Sequence, residues 1–306
     1  VAAADNFKVD SSNYKAPDYG YAGLKYAKAI DNFDRSKVPA SGPNPSLKVP
    51  KFWKKNLVNG ATVIGAQNTE IPTVTMSITI PGGHLASAGD LSKAGLASFF
   101  TDMMNEDTKN YTAEQIAVEL HKLGSSINIR SSFDGVTFTV HSLKINLDRT
   151  LQLLEERMFN PTFTQQAYDR IQLQAAQYFK QQKARPSAIA DEVYAKLNYG
   201  PNHILGISQN GNAETVKNIT MQDIEDYYKN YMTSVDAEVV IVGDITQAEI
   251  LSKLSFLDKL PRKKITLPKV DATPKVDKTK VYLVDIPKGA QTEFRIGYAT
   301  GLTYDA

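Results

Sequence analysis

The stretch that most constrains the fold is residues 93–105, KAGLASFFTDMMN. Ser98, Thr101 and Asp102 stand at positions i, i+3 and i+4, so in a helix they share one face. The apolar side chains form one broad stripe on a different face, made of Leu96, Phe99, Phe100, Met103 and Met104. The spacing therefore predicts a helix whose three polar side chains meet on a single patch.

The same spacing occurs in zinc peptidases, where the three residues are His, Glu and His. In those enzymes two imidazoles hold the metal, and the carboxylate takes a proton from the metal-bound water. Here the three positions supply two hydroxyls and one carboxylate instead. The sequence predicts the frame of a metallopeptidase helix without the ligands that zinc requires.

Composition limits the classes of partner. The 306 residues are 42% apolar, which is enough for a buried core, and 35 Lys and Arg against 33 Asp and Glu leave a formal net charge of +2. This balance argues against a nucleic acid or an anionic membrane as partner. The absence of Cys excludes disulfides and Cys-based zinc sites. No window reaches the roughly 20 apolar residues of a membrane-spanning helix, so no membrane insertion is expected.

The first part of the chain is punctuated by proline and small polar residues. Residues 1–48 are predicted to be an extended linker. They lack the basic start and apolar run of a signal peptide, so an export signal is expected only in a larger precursor. Beyond Phe52, the dipeptide Asn59 and Gly60 predicts a hairpin, and the β-branched run 73–80 predicts the next strand.

Helices and strands then alternate along the chain. A helix from Lys93 and one opening at Thr112 precede two strand patterns at 126–130 and 135–142, and AEVVIVGD predicts a central strand. Further helical patterns occupy 147–159, 165–183, 186–197, 221–232 and 246–257. This order predicts an α+β domain over residues 49–260, with helices packed on one face of a mainly antiparallel sheet.

The C-terminal part is predicted to leave this domain. A charged stretch with several prolines indicates an interdomain linker over residues 261–276. Two strand patterns follow in residues 277–306. Thirty residues are too few for a domain, so this segment is expected to be the truncated start of a second, similar one.

Several stretches, in this order, resemble the insulinase-type peptidase family M16. They are LVNGATVIGAQN, IPGGH, AGLASFFTDMM, LGSSINIRSSFDGVTFTV, FNPTFTQQAYDR and VVIVGDI, followed by a strand that restarts near Val281. The resemblance covers about residues 50–306. It implies the M16/LuxS-like metallohydrolase fold, with a second domain of the same kind after the linker.

The family's zinc chemistry does not carry over. Its members hold zinc with the two histidines of a His-x-x-Glu-His motif and a glutamate further along. The resemblance places Ser98 and Asp102 at the histidine positions, Thr101 at the catalytic glutamate and Gln177 near the third ligand, and residues 171–190 contain no Asp or Glu. It therefore implies a non-catalytic M16 domain with no metal and no cofactor of its own, and zinc only in a catalytic half or partner.

The resemblance also implies a strand that binds peptide. Residues 125–132, SSINIRSS, resemble the edge strand to which family members add a peptide through main-chain hydrogen bonds. The expected contacts are Ser126, Ile127, Asn128 and Ile129. His84, in a loop that lies near the cleft in the family, is a further candidate for substrate contact, against a purely structural role in the loop. Arg295 is a candidate for holding a substrate terminus.

Two functions remain open from the sequence. The first is a non-catalytic domain that closes the chamber and helps to bind peptide substrate for a zinc-bearing M16 half or subunit, in a periplasmic or secreted protein. The second is a structural scaffold of M16 fold with no role in proteolysis. Hydrolysis by Ser98 without metal is disfavoured, because the sequence places no His or Lys as its base.

Overall fold

The computed structural model describes residues 50–270, 278–287, 289, 291–298 and 300, with isolated residues between 15 and 43. The chain divides into two compact units, residues 1–48 and 49–306. The linker predicted over 1–48 lies mostly outside the described residues. Among the described helices, none combines the length and apolar character needed to cross a bilayer.

In the described part of the second unit, six strands form one mixed sheet. They are β1 (Trp53–Asn56), β2 (Thr62–Gln67), β3 (Thr73–Pro81), β4 (Ser126–Ser131), β5 (Gly135–Leu143) and β6 (Glu238–Gly243). The order is β1-β2-β6-β3-β5-β4, and all neighbours are antiparallel except β2 and β6. The prediction that AEVVIVGD is a central strand is confirmed, because β6 lies between β2 and β3. β1 and β4 are the edges.

The hairpin predicted at Asn59 and Gly60 joins β1 to β2. Gly60 has φ of +98°, a left-handed conformation that glycine adopts without strain. The Asn59 side chain accepts from the Ala61 amide at 3.1 Å and donates to the Leu257 carbonyl at 3.1 Å. The first bond stabilises the turn itself, and the second connects it to Leu257.

The described residues form eight α-helices. They are α1 (Leu96–Met104), α2 (Ala113–Lys122), α3 (Leu147–Phe159), α4 (Gln165–Gln182), α5 (Pro186–Tyr199), α6 (Thr215–Asn218), α7 (Met221–Tyr231) and α8 (Gln247–Lys253). Thr112 and Thr246, at which two of the predicted helices begin, each close a capping box with the residue three positions on. Only the short α6 has no counterpart among the predicted elements.

Helix α1 begins three residues later than predicted. Residues 91–93 form a separate 3-10 turn, and Gly95 takes φ of +98° before the helix starts at Leu96. A Cβ on Gly95 would lie only 2.7 Å from the Asn210 carbonyl oxygen, so the backbone of another loop passes directly against this turn. This close approach ends the helical path at Gly95 and brings Asn210 beside α1.

The core lies between one face of the sheet and the helices. Along β3, residues 74, 76, 78 and 80 are buried, while the alternate residues are only half-buried. From α1, Phe99, Phe100, Met103 and Met104 are at most 3% exposed. Phe100 meets the Tyr227 ring of α7 at a centroid distance of 4.6 Å. The predicted α+β arrangement, with helices on one face of a mainly antiparallel sheet, is confirmed.

The two strands predicted after residue 276 are absent from the described residues of that segment. Residues 278–287 and 291–298 contain no strand, and Leu283 and Ile296 are each 94% exposed. Strand patterns need neighbouring strands and a hydrophobic layer to become stable, and no described residue provides either one here. The described part of the predicted linker, residues 261–270, contains neither helix nor strand.

Replacing Phe100 with alanine tests whether the apolar face of α1 holds the domain together. Because Phe100 is fully buried among aromatic rings, we expect Phe100→Ala to lower the free energy of unfolding by about 3–5 kcal/mol. The control is Val118→Ala on α2, where the side chain is 47% exposed and the change should stay within about 0.5 kcal/mol. Urea unfolding followed by circular dichroism measures both. Equal effects of the two changes would contradict this packing.

Candidate functional site

The polar face of α1 opens into a cleft made of two adjoining recesses. One, of about 340 Å³, lies against α4, and the other, of about 390 Å³, lies against β4. Ser98, Asp102 and Asn210 line both recesses. The patch predicted from helical spacing therefore faces a cleft between a helix and the edge of the sheet, where a ligand has access to it.

The two hydroxyls on this face are engaged in local hydrogen bonds. Ser98 Oγ donates to Asn210 Oδ1 at 3.1 Å, and Thr101 Oγ1 donates back to the Ser98 carbonyl at 2.8 Å. Thr101 is only 4% exposed. A serine nucleophile needs a base that takes its proton, and the partner of Ser98 is an amide oxygen, which does not. The arrangement does not provide the elements of a metal-free hydrolase.

Asp102 is the charged residue of the patch. Its side chain is open to solvent from the cleft, yet protein atoms surround the carboxylate on its other sides. This desolvation, and secondarily the nearby Glu106 carboxylate, raises the pKa of Asp102 to about 6. The site therefore holds a carboxylate whose charge the surrounding protein disfavours.

The third ligand position expected near Gln177 does not lie in the cleft. Gln177 is exposed, whereas the α4 residues that line the α4 recess are Ile171, Gln174, Ala175, Tyr178 and Phe179. These residues share one face of the helix, and position 177 points away from it by the 3.6-residue period. Gln174 and Tyr178 are the polar α4 side chains at the cleft.

The donor set around α1 does not suit zinc. The metal requires three or four N, S or O ligands, and in peptidases these are imidazoles and carboxylates. The cleft offers one carboxylate, Asp102, together with hydroxyls and amides. No group of three His, Cys, Asp or Glu side chains among the described residues is arranged to hold a metal ion. The fold and cleft thus define a class: a metallopeptidase-like domain whose motif helix has lost its metal ligands.

Strand β4 borders the other side of the cleft and is an edge strand, as the family resemblance implies. Ile127 and Ile129 point into the core, Asn128 is exposed to the recess, and Ser126 is half-buried. On the inner side the strand is hydrogen-bonded only to β5. The four residues expected to contact peptide therefore all lie on this edge strand.

Asn105, one turn beyond Asp102, links α1 to this strand. Its side-chain nitrogen donates to the carbonyl oxygens of Thr101 at 2.8 Å and Ile129 at 3.2 Å. Arg157, only 6% exposed, donates to Asn105 Oδ1 at 2.6 Å and so fixes the amide orientation. Sequence analysis missed both residues, although extending the 98–102 helical face by one turn would have found Asn105. Asn210 has no such signal, because it comes from a loop without periodicity.

His84 does not line the cleft. It is 2% exposed, and its Nε2 donates to the carbonyl oxygens of Ile204 at 3.0 Å and Ile207 at 3.1 Å. Burial lowers the pKa of His84, opposed by these two hydrogen bonds, so the ring is held neutral. In place of the expected substrate contact, His84 ties the loop after β3 to the segment after α5. The family resemblance implies that its loop lies near the cleft, but it does not determine the direction of the ring.

Arg295, proposed from sequence to hold a substrate terminus, is paired elsewhere. Its Nε lies 2.6 Å from Asp191 Oδ1 on α5, and its Nη1 lies 3.3 Å from Glu293. Neither partner lines the two recesses. The described contacts of Arg295 are those of a surface ion pair.

Comparison with known proteins matches this chain to two family models. Residues 62–203 match the model described as "Insulinase (Peptidase family M16)", and residues 218–305 match "Peptidase M16 inactive domain". The first range contains α1 and β4. The second contains neither, so its description does not concern the motif helix.

Individual relatives and solved structures agree. The mitochondrial-processing peptidase subunit beta of Blastocladiella emersonii is 25% identical over 73% of this chain and 48% of its own length. The non-peptidase homolog YmxG of Helicobacter pylori is 26% identical over 66% of this chain and 46% of its own length. A peptidase M16 inactive domain from Pseudomonas fluorescens has a TM-score of 0.67 at 21% identity, over 74% of this chain and 54% of that one. The periplasmic protease PqqL of Escherichia coli has a TM-score of 0.64 at 19% identity, over 76% of this chain and 26% of that one.

The chain belongs to peptidase family M16. It lacks the family's His-x-x-Glu-His zinc motif, because Ser98, Thr101 and Asp102 stand at the ligand and catalytic positions. Its relatives include a protein described as a non-peptidase homolog. The chain spans about half the length of the curated relatives it matches.

Removing the charge of Asp102 tests the electrostatics of the cleft. The folded protein binds the Asp102 proton more tightly than the unfolded chain, whose aspartate pKa is near 3.8, so stability is lost as pH rises through about 6. Asparagine does not ionise. We therefore expect Asp102→Asn to raise the free energy of unfolding at pH 7.5 by about 1 kcal/mol, allowing for solvent screening of an exposed group.

The increase in the free energy of unfolding caused by Asp102→Asn should shrink toward zero as pH is lowered from 7.5 to 4, because the wild-type carboxyl is then itself protonated in the folded state. Urea unfolding at several pH values measures it. Glu225→Gln, which removes an exposed carboxylate on α7, is the matched control for the loss of one negative charge. A gain that is independent of pH, or one that Glu225→Gln reproduces, would contradict the assignment.

Proposed function

We propose that the chain is a non-catalytic M16 domain that binds extended peptide along β4, in partnership with a zinc-bearing M16 half or subunit that carries out hydrolysis. The observation that supports this most strongly is the open edge of β4 facing the cleft beside α1. Binding by strand addition is made mostly by backbone groups, so it survives the loss of the zinc ligands on α1.

The hydrogen-bonding register of β4 identifies the backbone groups available to a peptide. The Ser132 amide donates to the Gly135 carbonyl at 2.7 Å, so the backbone groups of residue 132 point toward β5. Successive residues of a strand direct their backbone groups to opposite sides, so Ile127, Ile129 and Ser131 point theirs to the free edge. The Asn105 bond to the Ile129 carbonyl agrees with this direction.

Asn105 occupies one acceptor on that edge. The amides of Ile127, Ile129 and Ser131 and the carbonyls of Ile127 and Ser131 remain for a bound strand, while the Ile129 oxygen already accepts from Asn105. A carbonyl oxygen has two lone pairs, so a peptide amide shares this acceptor with Asn105. The Asn105 contact therefore holds the strand at a fixed distance from α1 and keeps the cleft open.

The relatives support a proposal for the partner and the compartment. PqqL of Escherichia coli is a periplasmic protease, and its first half has been solved separately. By analogy, we place this chain in the periplasm or outside the cell, as part of a larger precursor. Residues 49–260 would be one M16-like domain, 261–276 its linker and 277–306 the start of the next. Closing the chamber over substrate would be its structural role.

A scaffold without any part in proteolysis is the second candidate. It is favoured by α5, where Leu197 is 45% exposed and no residue is buried, and by Leu173 of α4, which is 60% exposed. A helical face of this kind fits a permanent protein neighbour. The two functions differ in whether β4 binds peptide.

Replacing Ser131 with proline distinguishes the two proposed functions. Because the Ser131 amide points to the free edge, Ser131→Pro removes a donor to the peptide while leaving the β4–β5 bonds in place. We expect it to weaken binding of a fluorescein-labelled, unstructured dodecapeptide at least fivefold, measured by fluorescence anisotropy. Ser131→Ala removes the hydroxyl but keeps the amide, and should stay within twofold of wild type.

Equal affinities for the two variants, both with unchanged melting temperatures, would refute binding on the free edge of β4. No saturable binding to the wild-type protein would favour the scaffold.

A further inference from the structure

The side chain of Asn105 uses both of its donors and its oxygen within the protein. Its Nδ2 donates to the carbonyl oxygens of Thr101 at 2.8 Å and Ile129 at 3.2 Å, and its Oδ1 accepts from Arg157 Nη1 at 2.6 Å. A guanidinium group only donates, so Arg157 determines which end of the amide is the oxygen. The nitrogen of Asn105 therefore faces the two carbonyls.

This bond makes one position of the β4 edge different from its neighbours. The outward carbonyls of β4 belong to residues 127, 129 and 131, and within the described part of the chain only that of Ile129 accepts from a side chain. The outward carbonyls of Ile127 and Ser131 have no donor among the described residues. The edge thus presents two open acceptors, with an occupied acceptor midway between them.

The occupied acceptor changes the cost of losing a peptide amide. Each outward carbonyl of an edge strand meets one amide of an added strand, whichever direction that strand runs. If the peptide has no amide hydrogen opposite Ile127 or Ser131, it covers a carbonyl that is left without a donor, which is costly. Opposite Ile129 the carbonyl keeps its bond to Asn105, so the same loss costs much less.

We propose that Asn105 is a specificity-determining residue of the β4 edge. A bound peptide is anchored by two amides four residues apart, which pair with Ile127 and Ser131, and the residue midway needs no amide hydrogen. Proline is the natural residue without one, so the site accepts extended peptides with proline at that position. The inference rests on the proposed binding of peptide to β4.

Proline at the midway position also needs space, because its ring takes the place of the amide hydrogen. The recess of about 390 Å³ is lined by Asn105 and by residues 128–131 of β4, so it opens directly beside the Ile129 carbonyl. A peptide anchored at two flanking residues can bow into this recess at the residue between them. The geometry therefore allows the ring as well as the missing hydrogen bond.

Replacing peptide amides by esters, one position at a time, tests the proposal on the wild-type protein. An ester keeps the extended backbone and has oxygen in place of the N–H group. The probe is a fluorescein-labelled, unstructured dodecapeptide of non-repeating sequence, and fluorescence anisotropy measures its affinity. We expect two positions, four residues apart, at which the ester weakens binding at least fivefold. At the three positions between them the effect should stay below twofold.

Asn105→Ala frees the Ile129 carbonyl, so a third sensitive position should appear midway between the first two. Because this change leaves the buried Arg157 without its acceptor, Asn105→Asp is tested beside it, since aspartate keeps an oxygen for Arg157 and has no N–H to donate. Asn146→Asp is the matched control, because Asn146 donates to the Leu123 carbonyl at 2.8 Å and lines neither recess. It should retain the wild-type pattern.

For the wild-type protein, the peptide with proline at the midway position should bind at least fivefold more tightly than peptides with proline at either sensitive position. Three sensitive positions in the wild-type scan, only two in both Asn105 variants, or a midway proline as damaging as the flanking ones would overturn the inference while leaving peptide binding to β4 intact. If neither variant folds, the wild-type scan decides. No binding of the unmodified peptide, or no position sensitive to the ester, would overturn the proposed function and this inference together.

Discussion

The packing of one amphipathic helix, α1, against the sheet and α7 determines where the cleft lies. Its apolar side chains are almost completely buried, and Phe100 lies against the Tyr227 ring. A helix held so firmly on one side has no rotational freedom, so Ser98 and Asp102 are fixed toward the space between α4 and β4. The same packing would place two imidazoles and a carboxylate in an active relative. The core thus preserves the position of the site independently of its chemistry.

What the site has lost and what it keeps have different physical origins. Zinc binding depends on particular side-chain atoms, and replacing histidines with serine and aspartate removes it. Strand addition depends on backbone groups at the edge of a sheet, which persist as long as β4 stays uncovered on that side. Asn105 and the buried Arg157 stabilise the gap between α1 and β4. The free edge of β4 therefore does not depend on the zinc ligands of α1.

Local signals in the sequence predict most of the fold. Capping threonines, the turn at Asn59 and Gly60, and period-two strands each depend on residues close together in the chain, and the structure confirms them. Features set by distant segments were not predictable. The start of α1 depends on the loop at Asn210, and the ring of His84 is held by the carbonyls of residues 204 and 207. The expected ligand position on α4 was Gln177, whereas residues a few positions away line the cleft. A glutamate that ligated metal would have marked the cleft face of α4, and none is present.

Residue-resolved amide hydrogen exchange, with and without bound peptide, tests the central claim most directly. If peptide adds to the free edge of β4, the outward amides of Ile127, Ile129 and Ser131 will exchange more slowly in the complex. The amide of Asn128, already bonded to β5, will change little. Protection confined to α5 or to other surfaces, with the three outward β4 amides unchanged, would contradict the account.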